Sequence, residues 1–489
     1  AAAVAQGASF LPQAADRMGA GVWLASARRR LYLAPSVIQM VEMVGSYGDL
    51  VAASIREEAK EAFVTEVRGR SPHVPYPVAL DYEWRALLKT STVLPWVHLP
   101  DTAPQWNELL KSPSALRTGL ESSLPTARHE HVRMATEMVL VRRNRDGTEV
   151  LLVQRDPDLL GILRVSKVGI GEPDSVLFNR VDGVSPERRA LSKVPVAIVG
   201  AGSLGSAIAL ALARAGVADL LLIDHDVLEL DNICRHVGIV TEVGDWKVKV
   251  VERAILGVNP AARVECMKKP LAWDMPDYGA GLDFERWLEG HRGAIVVSTC
   301  AFGPVERQLN EVLVGRGIPA IYASVLGAGH HGRIHRVIPG QTACYECVLI
   351  AQNAEPKRFP RYVVDGVDQE SRVPYLQPSL PGLAIDIAQV ALVAARMALQ
   401  TIARTRGIDL GLADEVGDHL LWTNRGGWAF DDRPLSVRVE RPPRDEGCEA
   451  CGKGGAHEEL SDAERAELSD LLGRIRRPRD GTPGEGGGR

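Results

Sequence analysis

The chain is expected to be an α/β protein built on a mostly parallel sheet, and three features of the sequence lead there. The stretch Val196-Ala-Ile-Val-Gly-Ala-Gly-Ser-Leu-Gly205, followed by Leu220-Leu-Leu-Ile-Asp-His-Asp226, reads as strand, glycine turn, helix, strand and acid. Short apolar runs at Val194–Val199, Leu220–Asp224, Arg263–Met267, Ala294–Ser298 and Ala320–Ser324 alternate with helical patterns, the signature of strands joined by crossover helices. With 489 residues and 45% hydrophobic content, the chain is long enough for two or three cores.

The glycine unit has a defined chemistry. Gly200 and Gly202 let the backbone turn sharply and approach a phosphate, Gly205 lets the helix pack on the strand, and the N–H groups at the helix start around Ser203 are open to an anion. Asp224 ends the second strand, and Asp226 lies about 20 residues past the last glycine, where an acid accepts ribose hydroxyls. Alone, this fingerprint favours a nicotinamide or flavin enzyme.

Two basic segments follow, Asp231-Asn-Ile-Cys-Arg-His236 and Val243-Gly-Asp-Trp-Lys-Val-Lys249. Dinucleotide enzymes do not need this pair. An enzyme that splits ATP between its α- and β-phosphates does, because charge develops on the attacked phosphorus and on departing pyrophosphate. Arg235 and Lys247 read equally as ordinary surface cations. Cys344-Tyr-Glu-Cys347 and Cys448-Glu-Ala-Cys451 supply four thiolates in two knuckles, the ligand set of a structural zinc. Unrelated buried pairs or redox C-x-x-C motifs are the alternatives. A closed four-sulfur shell would staple the C-terminal segment to the body and take no part in chemistry.

With these residues in hand, the chain resembles the ThiF/MoeB/HesA family of adenylyltransferases, bacterial relatives of ubiquitin-activating enzymes. The resemblance rests on the G-A-G-S-L-G loop, the D-H-D strand end, the D-N-I-C-R-H and V-G-D-W-K segments, Asn259-Pro260, Gln308-Leu-Asn310 and both cysteine pairs. Leu177-Phe-Asn-Arg180, the N-I-x-R-H variant and Pro381-Gly-Leu-Ala-Ile-Asp-Ile387 look most like bacterial members fused to, or encoded with, ubiquitin-conjugation-like domains. The resemblance implies a Rossmann-like sheet of the ThiF/MoeB type with a zinc knuckle. It also implies binding of ATP and magnesium, adenylation of the C-terminal carboxylate of a ubiquitin-like protein or peptide, release of pyrophosphate, and a homodimer. Carried over residue by residue, Gly200, Gly202, Ser203 and Gly205 line the phosphates, Asp224 and Asp226 the ribose side, and Asn232, Arg235 and Lys247 the triphosphate. Arg180 falls where relatives place an arginine that reaches into the partner subunit.

The chain departs from the family pattern at two points. Where relatives carry D-x-x-D-N at the end of the fourth strand, it has Ser298-Thr-Cys-Ala-Phe302, with no acid at either aligned position. A divalent ion bridging phosphates wants at least one carboxylate, so Glu306 or another acid substitutes, or turnover is slow or absent. The segment from Ala351 to Pro381 also lacks the cysteine of thioester-forming relatives. Of the seven cysteines, Cys300 ends a strand, where open α/β sheets place ligands. It is read as a candidate nucleophile or as a small buried hydrophobe; Cys234 and Cys266 complete the set.

The chain is expected to divide into an N-terminal domain of unassigned type (1–135), a hairpin connector (136–175), the adenylation domain (176–456), and a short helix with a disordered tail (457–489). In the first, apolar residues from Val37 to Ala59 recur at three and four, predicting a helix over Ser36–Val67. Trp84, Trp96 and Trp106 suggest a small packed α+β domain, degenerate ubiquitin-conjugating or accessory in type, whose residues up to 125 contain no cysteine for a thioester. His129 and His131 read as a solvated helix start. Asn144-Arg-Asp-Gly147 between apolar runs is a hairpin signal. Leu383–Ile402 is an apolar helix expected to be buried, at a dimer interface or in the core. Leu460–Ile475 has helical spacing, and the Gly-rich ending cannot bury anything. A net charge of −5 gives no reason to expect nucleic acid. No run of about 20 apolar residues predicts a membrane span, and paired C-x-x-C thiols fit a reducing, cytoplasmic compartment. Three functions remain in view: adenylyltransferase, degenerate scaffold that positions a ubiquitin-like protein or peptide for another enzyme, and dinucleotide oxidoreductase.

Overall fold

The structure is a computed structural model. It describes residues 30–452 apart from 57–60, 70–74, 101–102, 104, 111–112, 127–128, 145–146, 156–162, 275–277, 362, 365–366, 369–380, 414–416, 426–427 and 429–432. The helix and tail expected beyond residue 457 lie outside the described residues. Two compact units are present, one of residues up to Arg188 with Asn259–Ala262 and Asp409–Gly411, the other of the remainder.

The first unit is a nine-stranded mixed sheet. Its elements are β1 (Arg30–Leu33), α1 (Pro35–Val44), β2 (Tyr47–Ser54), β3 (Glu61–Arg68), β4 (Pro75–Pro77), β5 (Thr90–Leu99), α2 (Pro113–Ser123), β6 (Glu137–Asn144), β7 (Gly147–Arg155), β8 (Leu163–Lys167) and β9 (Gly169–Ile170), besides shorter helical turns. The strand order is β8-β7-β6-β5-β2-β3-β1-β9, with β4 on β3. Alternation on β6 and β7 fills two cores: Val139, Val141, Val150 and Leu152 pack with Val37 and Val41 of α1, while Met138, Leu140, Leu151 and Val153 pack with Leu116 and Leu120 of α2. Period-two side chains that are apolar on both sides require cover on both faces. The predicted hairpin is present as antiparallel β6 and β7, and its strands belong to this sheet through β5. Trp84, Trp96 and Trp106 are all buried.

The helix predicted over Ser36–Val67 is corrected by the structure. Among the described residues of that span only Pro35–Val44 is helical; Gly45 at φ 139° ends it, and β2 follows, hydrogen-bonded to β3 on one side and β5 on the other. Glycine is required at position 48, since a Cβ would lie 1.9 Å from the Arg68 carbonyl oxygen and 2.8 Å from Trp96 Nε1. Burial on β2 alternates at Gly48, Leu50 and Ala52, and a register shift between Val51 and Ala52 then brings Ala53 and Ser54 into the interior as well, which breaks the period of two. Periodicity cannot separate that from a helix.

The second unit holds an eight-stranded sheet. Its elements are β10 (Pro195–Val199), α3 (Ser203–Ala215), β11 (Asp219–Ile223), α4 (Lys247–Leu256), β12 (Arg263–Met267), α5 (Gly281–Gly290), β13 (Ile295–Ser298), α6 (Gly303–Gly315), β14 (Ala320–Leu326), β15 (His331–Val337), α7 (Tyr345–Ala354), the small pair β16 (Val363–Val364) and β17 (Val367–Asp368), α8 (Ala384–Arg406), β18 (His419–Thr423) and β19 (Ser436–Glu440). The order β12-β11-β10-β13-β14-β15-β18-β19 is parallel from β12 to β14 and antiparallel from β14 onward. All five strands read from the sequence are present. The order reverses between β10 and β13, so the crevice at their carboxyl ends is the topological switch point, where such sheets bind ligands. β10 is buried along its whole length, as expected of a strand covered on both faces.

α8 is long and apolar enough to cross a membrane, yet most of it is buried and it packs on α3, β14 and β15. The antiparallel half of the sheet carries buried polar residues: His335 and His419 face each other across β15 and β18, and His331 pairs with Thr423 at the other end of the same ladder. Burial above all lowers His331 and His335 to about 4 and His419 well below its usual value. The unfolded chain then takes up these protons near pH 6.5 while the folded chain refuses them, so the contribution is intact above pH 6.5 and is lost as pH falls toward 4. Urea unfolding followed at pH 7 and at pH 5 should show a loss of about 2 kcal/mol for each of His331 and His335, with His419 acting in the same direction. A flat profile over that range would contradict the neutral assignment.

Candidate functional site

The crevice is built from the loop after β10 and the loop after β13. Gly200 has φ 90°, and a Cβ on it would lie 2.9 Å from Thr299 Oγ1 and 3.1 Å from the Cys300 backbone nitrogen, so a residue free to adopt φ > 0 and lacking a side chain is required. Thr299 donates from Oγ1 to the Gly200 carbonyl at 2.9 Å, and its N–H donates to the Val199 carbonyl at 2.8 Å. Gly205 is tighter still: a Cβ would sit 1.9 Å from the Gly200 oxygen. Gly202 is the opposite case, with nothing within 4 Å of its Cβ position. It caps α3 with no side chain bonded to the helix start, and an uncapped helix N-terminus favours an anion.

Acids and a histidine hold this loop in place. Asp224 accepts from the Ala201 N–H at 2.7 Å and from the Asp226 N–H at 2.8 Å, which makes it a bracket between loop and strand end. His236 is buried; its Nε2 lies 2.8 Å from the Ala201 carbonyl and its Nδ1 accepts from the Gly238 N–H at 2.9 Å. Those contacts fix the neutral tautomer with the proton on Nε2, and burial is the main cause of its lowered pKa. Lys247 opens α4 and places Nζ 2.8 Å from Asp226 Oδ2, with the lysine side chain 13% exposed. Backbone pairing makes this meeting possible. The Leu228 N–H bonds to the Asp245 carbonyl and the Lys247 N–H to the Asp226 carbonyl, with Gly244 at φ 95° turning the chain between them.

Asn232 is partly exposed and accepts from the Glu229 N–H at 3.2 Å while donating to Asp231 at 2.9 Å. Arg235 reaches the turn before α8, its guanidinium 3.7 Å from where a Cβ of Gly382 would be. The loop after β13 carries no carboxylate. Ala301 occupies the left-handed region at φ 50°, a conformation that costs a non-glycine residue energy. Glu306 is 2% exposed and accepts from Ser298 Oγ at 3.1 Å. Cys300 Sγ lies 3.3 Å from Ser298 Oγ, and burial, then the Glu306 charge, push its pKa up to about 12. It is a thiol at neutral pH, and a thiol is a poor nucleophile.

The four cysteines of the two C-x-x-C pairs converge. Cys344 Sγ is 3.7 Å from Cys347 and 3.6 Å from Cys448, and Cys347 is 3.3 Å from Cys451. All four sulfurs lie within 4.8 Å of one another. Disulfides need about 2.05 Å, whereas a metal about 2.3 Å from each sulfur gives edges near 3.8 Å. The hydrogen bond from Cys344 is the main cause that lowers Cys347 to about 5; the same contact pushes Cys344 up. The donor set therefore fits a tetrahedral metal with no open position.

The model of the ThiF family matches residues 177–421. The chain belongs to the ThiF family. Among curated relatives of this ThiF-family chain, the sulfur carrier protein adenylyltransferase of Thermus thermophilus is 28% identical over 291 residues, 58% of this chain and 91% of that protein. Ubiquitin-like modifier-activating enzyme 5 of Gallus gallus is 26% identical, over 46% of this chain and 59% of that protein. Mouse adenylyltransferase and sulfurtransferase MOCS3 is 34% identical over 32% of each chain. The match thus spans most of the bacterial relative but less than two thirds of the animal ones. Among solved structures, E. coli MccB with ATP matches at 19% identity and a TM-score of 0.40, covering 54% of this chain and 68% of that chain.

Within the ThiF-family region, Gly200, Gly202, Ser203, Gly205, Asp224, Asp226 and Lys247 come together around the one loop. Arg180 is exposed on a short helix (Asn179–Asp182) of the first unit. The sequence reading missed two residues that shape the loop, Thr299 and His236. A threonine one residue past an apolar strand carries no signal. His236 stood inside the D-N-I-C-R-H segment, where Arg235 drew the chemical reading.

Proposed function

We propose that the chain is an ATP-dependent adenylyltransferase that activates the C-terminal carboxylate of a ubiquitin-like protein or peptide. The observation that carries this reading is Lys247 held on Asp226, at the strand end whose Asp224 brackets the glycine loop before α3. The lysine is fixed by its ion pair with Asp226, and the β13 end adds no second carboxylate to the loop. The relatives named as adenylyltransferases and activating enzymes support the same class. In the reaction, a carboxylate oxygen of the tail attacks the α-phosphorus, the bond to the bridging α–β oxygen breaks, and pyrophosphate leaves as the anion. The first N–H groups of α3 and the Lys247 ammonium take up charge on the phosphates; Asp226 orients Lys247 and the ribose; Asp224 and His236 keep the loop rigid. Such prearranged donors act where charge develops.

Magnesium accompanies ATP in this reading, yet Ser298, Thr299, Cys300, Ala301 and Phe302 do not fit it as ligands and Glu306 is turned inward on Ser298. Among the described residues, Asp224, His225 and Asp226 form the other group with metal-ligand spacing, and both acids are already engaged. No step above therefore depends on the ion. Cys344, Cys347, Cys448 and Cys451 would hold a structural zinc, and a homodimer completes the reading. Cys300, held as a thiol, takes no covalent role, so the acyl adenylate passes to an external amine or thiol.

Pyrophosphate exchange into ATP by the purified chain with candidate tail proteins or peptides tests the reading. Tight partner binding without exchange would favour the alternative, a scaffold that positions the partner for another enzyme; the acid-free β13 loop is the observation behind that alternative. The glycines separate fold from binding. Gly202→Ala should fold with a near wild-type Tm and bind ATP about tenfold more weakly, because its side chain enters space left for phosphate. Gly205→Ala should lose about 3 kcal/mol, because its Cβ meets backbone. Calorimetry and thermal unfolding of the two variants would show whether the effects divide in this way.

A further inference from the structure

One buried face of α6 touches both the nucleotide crevice and the cysteine cluster. Glu306 and Asn310 are one turn apart on it and nearly inaccessible, at 2% and 1% exposure. At the first end, Glu306 Oε1 accepts from Ser298 Oγ at 3.1 Å and lies 3.9 Å from Cys300 Sγ. Those residues flank Thr299, whose hydroxyl and N–H hold Gly200 and Val199. At the second end, Asn310 Oδ1 accepts from the Tyr345 N–H at 3.0 Å. Tyr345 stands inside the first C-x-x-C, and its ring packs 4.9 Å from that of Tyr322. The Tyr322 hydroxyl is buried without a hydrogen-bond partner among the described residues; Glu306, Cys344 and Cys300 all act on it electrostatically. Val199, Leu309, Leu313, Tyr322, Tyr345 and the knuckle cysteines share one core.

We infer that Glu306 and Asn310 are positioning residues, through which α6 makes the geometry of the glycine loop depend on the state of the cysteine cluster. A helix is stiff along its axis, and a packed core shifts between discrete arrangements. Movement of the Cys344 knuckle is therefore delivered through Asn310 to α6 and through Glu306 to the wall that supports Gly200. The inference rests on the nucleotide reading only for its ligand; the mechanical link holds without it.

The experiment compares Asn310→Ala with Asn310→Asp, which keeps the Oδ1 acceptor, on the full chain. Three readouts are taken: metal content, Kd for magnesium ATP, and hydrogen exchange of residues 199–205 and 298–302. Asn310→Ala should keep one zinc per chain, weaken ATP about five- to tenfold and speed exchange in both segments, while Asn310→Asp stays near wild type. Chelation of the metal should speed exchange in the same segments of the wild type. Glu306→Gln, which keeps an acceptor at Oε1, should be milder than Glu306→Ala. Unchanged exchange at 199–205 in Asn310→Ala and after chelation overturns the coupling. Wild type that binds no ATP but shows the exchange response overturns the nucleotide reading alone. If Asn310→Ala unfolds, exchange in the chelated wild type decides the coupling by itself: faster exchange at 199–205 supports it, and unchanged exchange overturns it.

Discussion

Lys247→Ala is expected to lower pyrophosphate exchange by about 100- to 1,000-fold, the usual loss when one prearranged charge at a developing oxyanion is removed. The effect should fall mainly on kcat, because the lysine is matched to charge that grows as the α–β bond breaks. Stability should change by less than about 1 kcal/mol, as for a partly exposed ion pair, since the Lys247 backbone N–H keeps its bond to the Asp226 carbonyl in the variant. Lys269→Ala is the control: that lysine is half exposed and 3.6 Å from Asp283. Equal losses in the two variants would mean that general surface charge, and no positioned cation, supports the reaction. Full activity in Lys247→Ala would remove the central residue from the proposed mechanism.

Replacing Cys347 or Cys451 by serine should release the metal and cost about 4 kcal/mol, on the order of 10 °C in Tm for a unit of this size. Structural zinc sites contribute their binding free energy to folding; here the surrounding core, which includes Cys344 and Cys448, would retain part of the structure. Metal analysis of the purified chain and its variants checks this beside thermal unfolding. Wild type without metal, with intramolecular disulfides by mass spectrometry, would assign the four sulfurs to redox chemistry instead.

The parallel half of the second unit was legible because its strands are short, fully apolar and separated by helical patterns; the boundaries at β10 to β14 fall within a residue or two of those read from the sequence. The glycine loop was legible for the same reason that it works: no side chain fits at Gly205 and only unusual backbone suits Gly200. The cysteine pairs were legible by spacing, although their convergence depends on β15, α8 and β18 returning the chain to α7. The first unit was not legible at β2, since a register shift between Val51 and Ala52 interrupts the strand's period of two. Thr299 and His236 were not legible as site residues, and Glu306, read as a substitute acid for magnesium, is instead bonded inward to Ser298. Each acts by a hydrogen bond to a partner that is distant in sequence or on backbone, and neither kind of contact leaves a pattern.

The two halves of the cysteine cluster are also separated in time. A ribosome adding about 5 to 20 residues per second makes Cys344 and Cys347 available roughly 5 to 20 s before Cys448 and Cys451 follow. During that interval the glycine loop, β13 and the first knuckle already exist, and the knuckle has two sulfurs of its eventual four. A nascent chain in this state holds the first pair without the second, and completion of the cluster is set by the arrival of residues that lie far along the chain from the crevice.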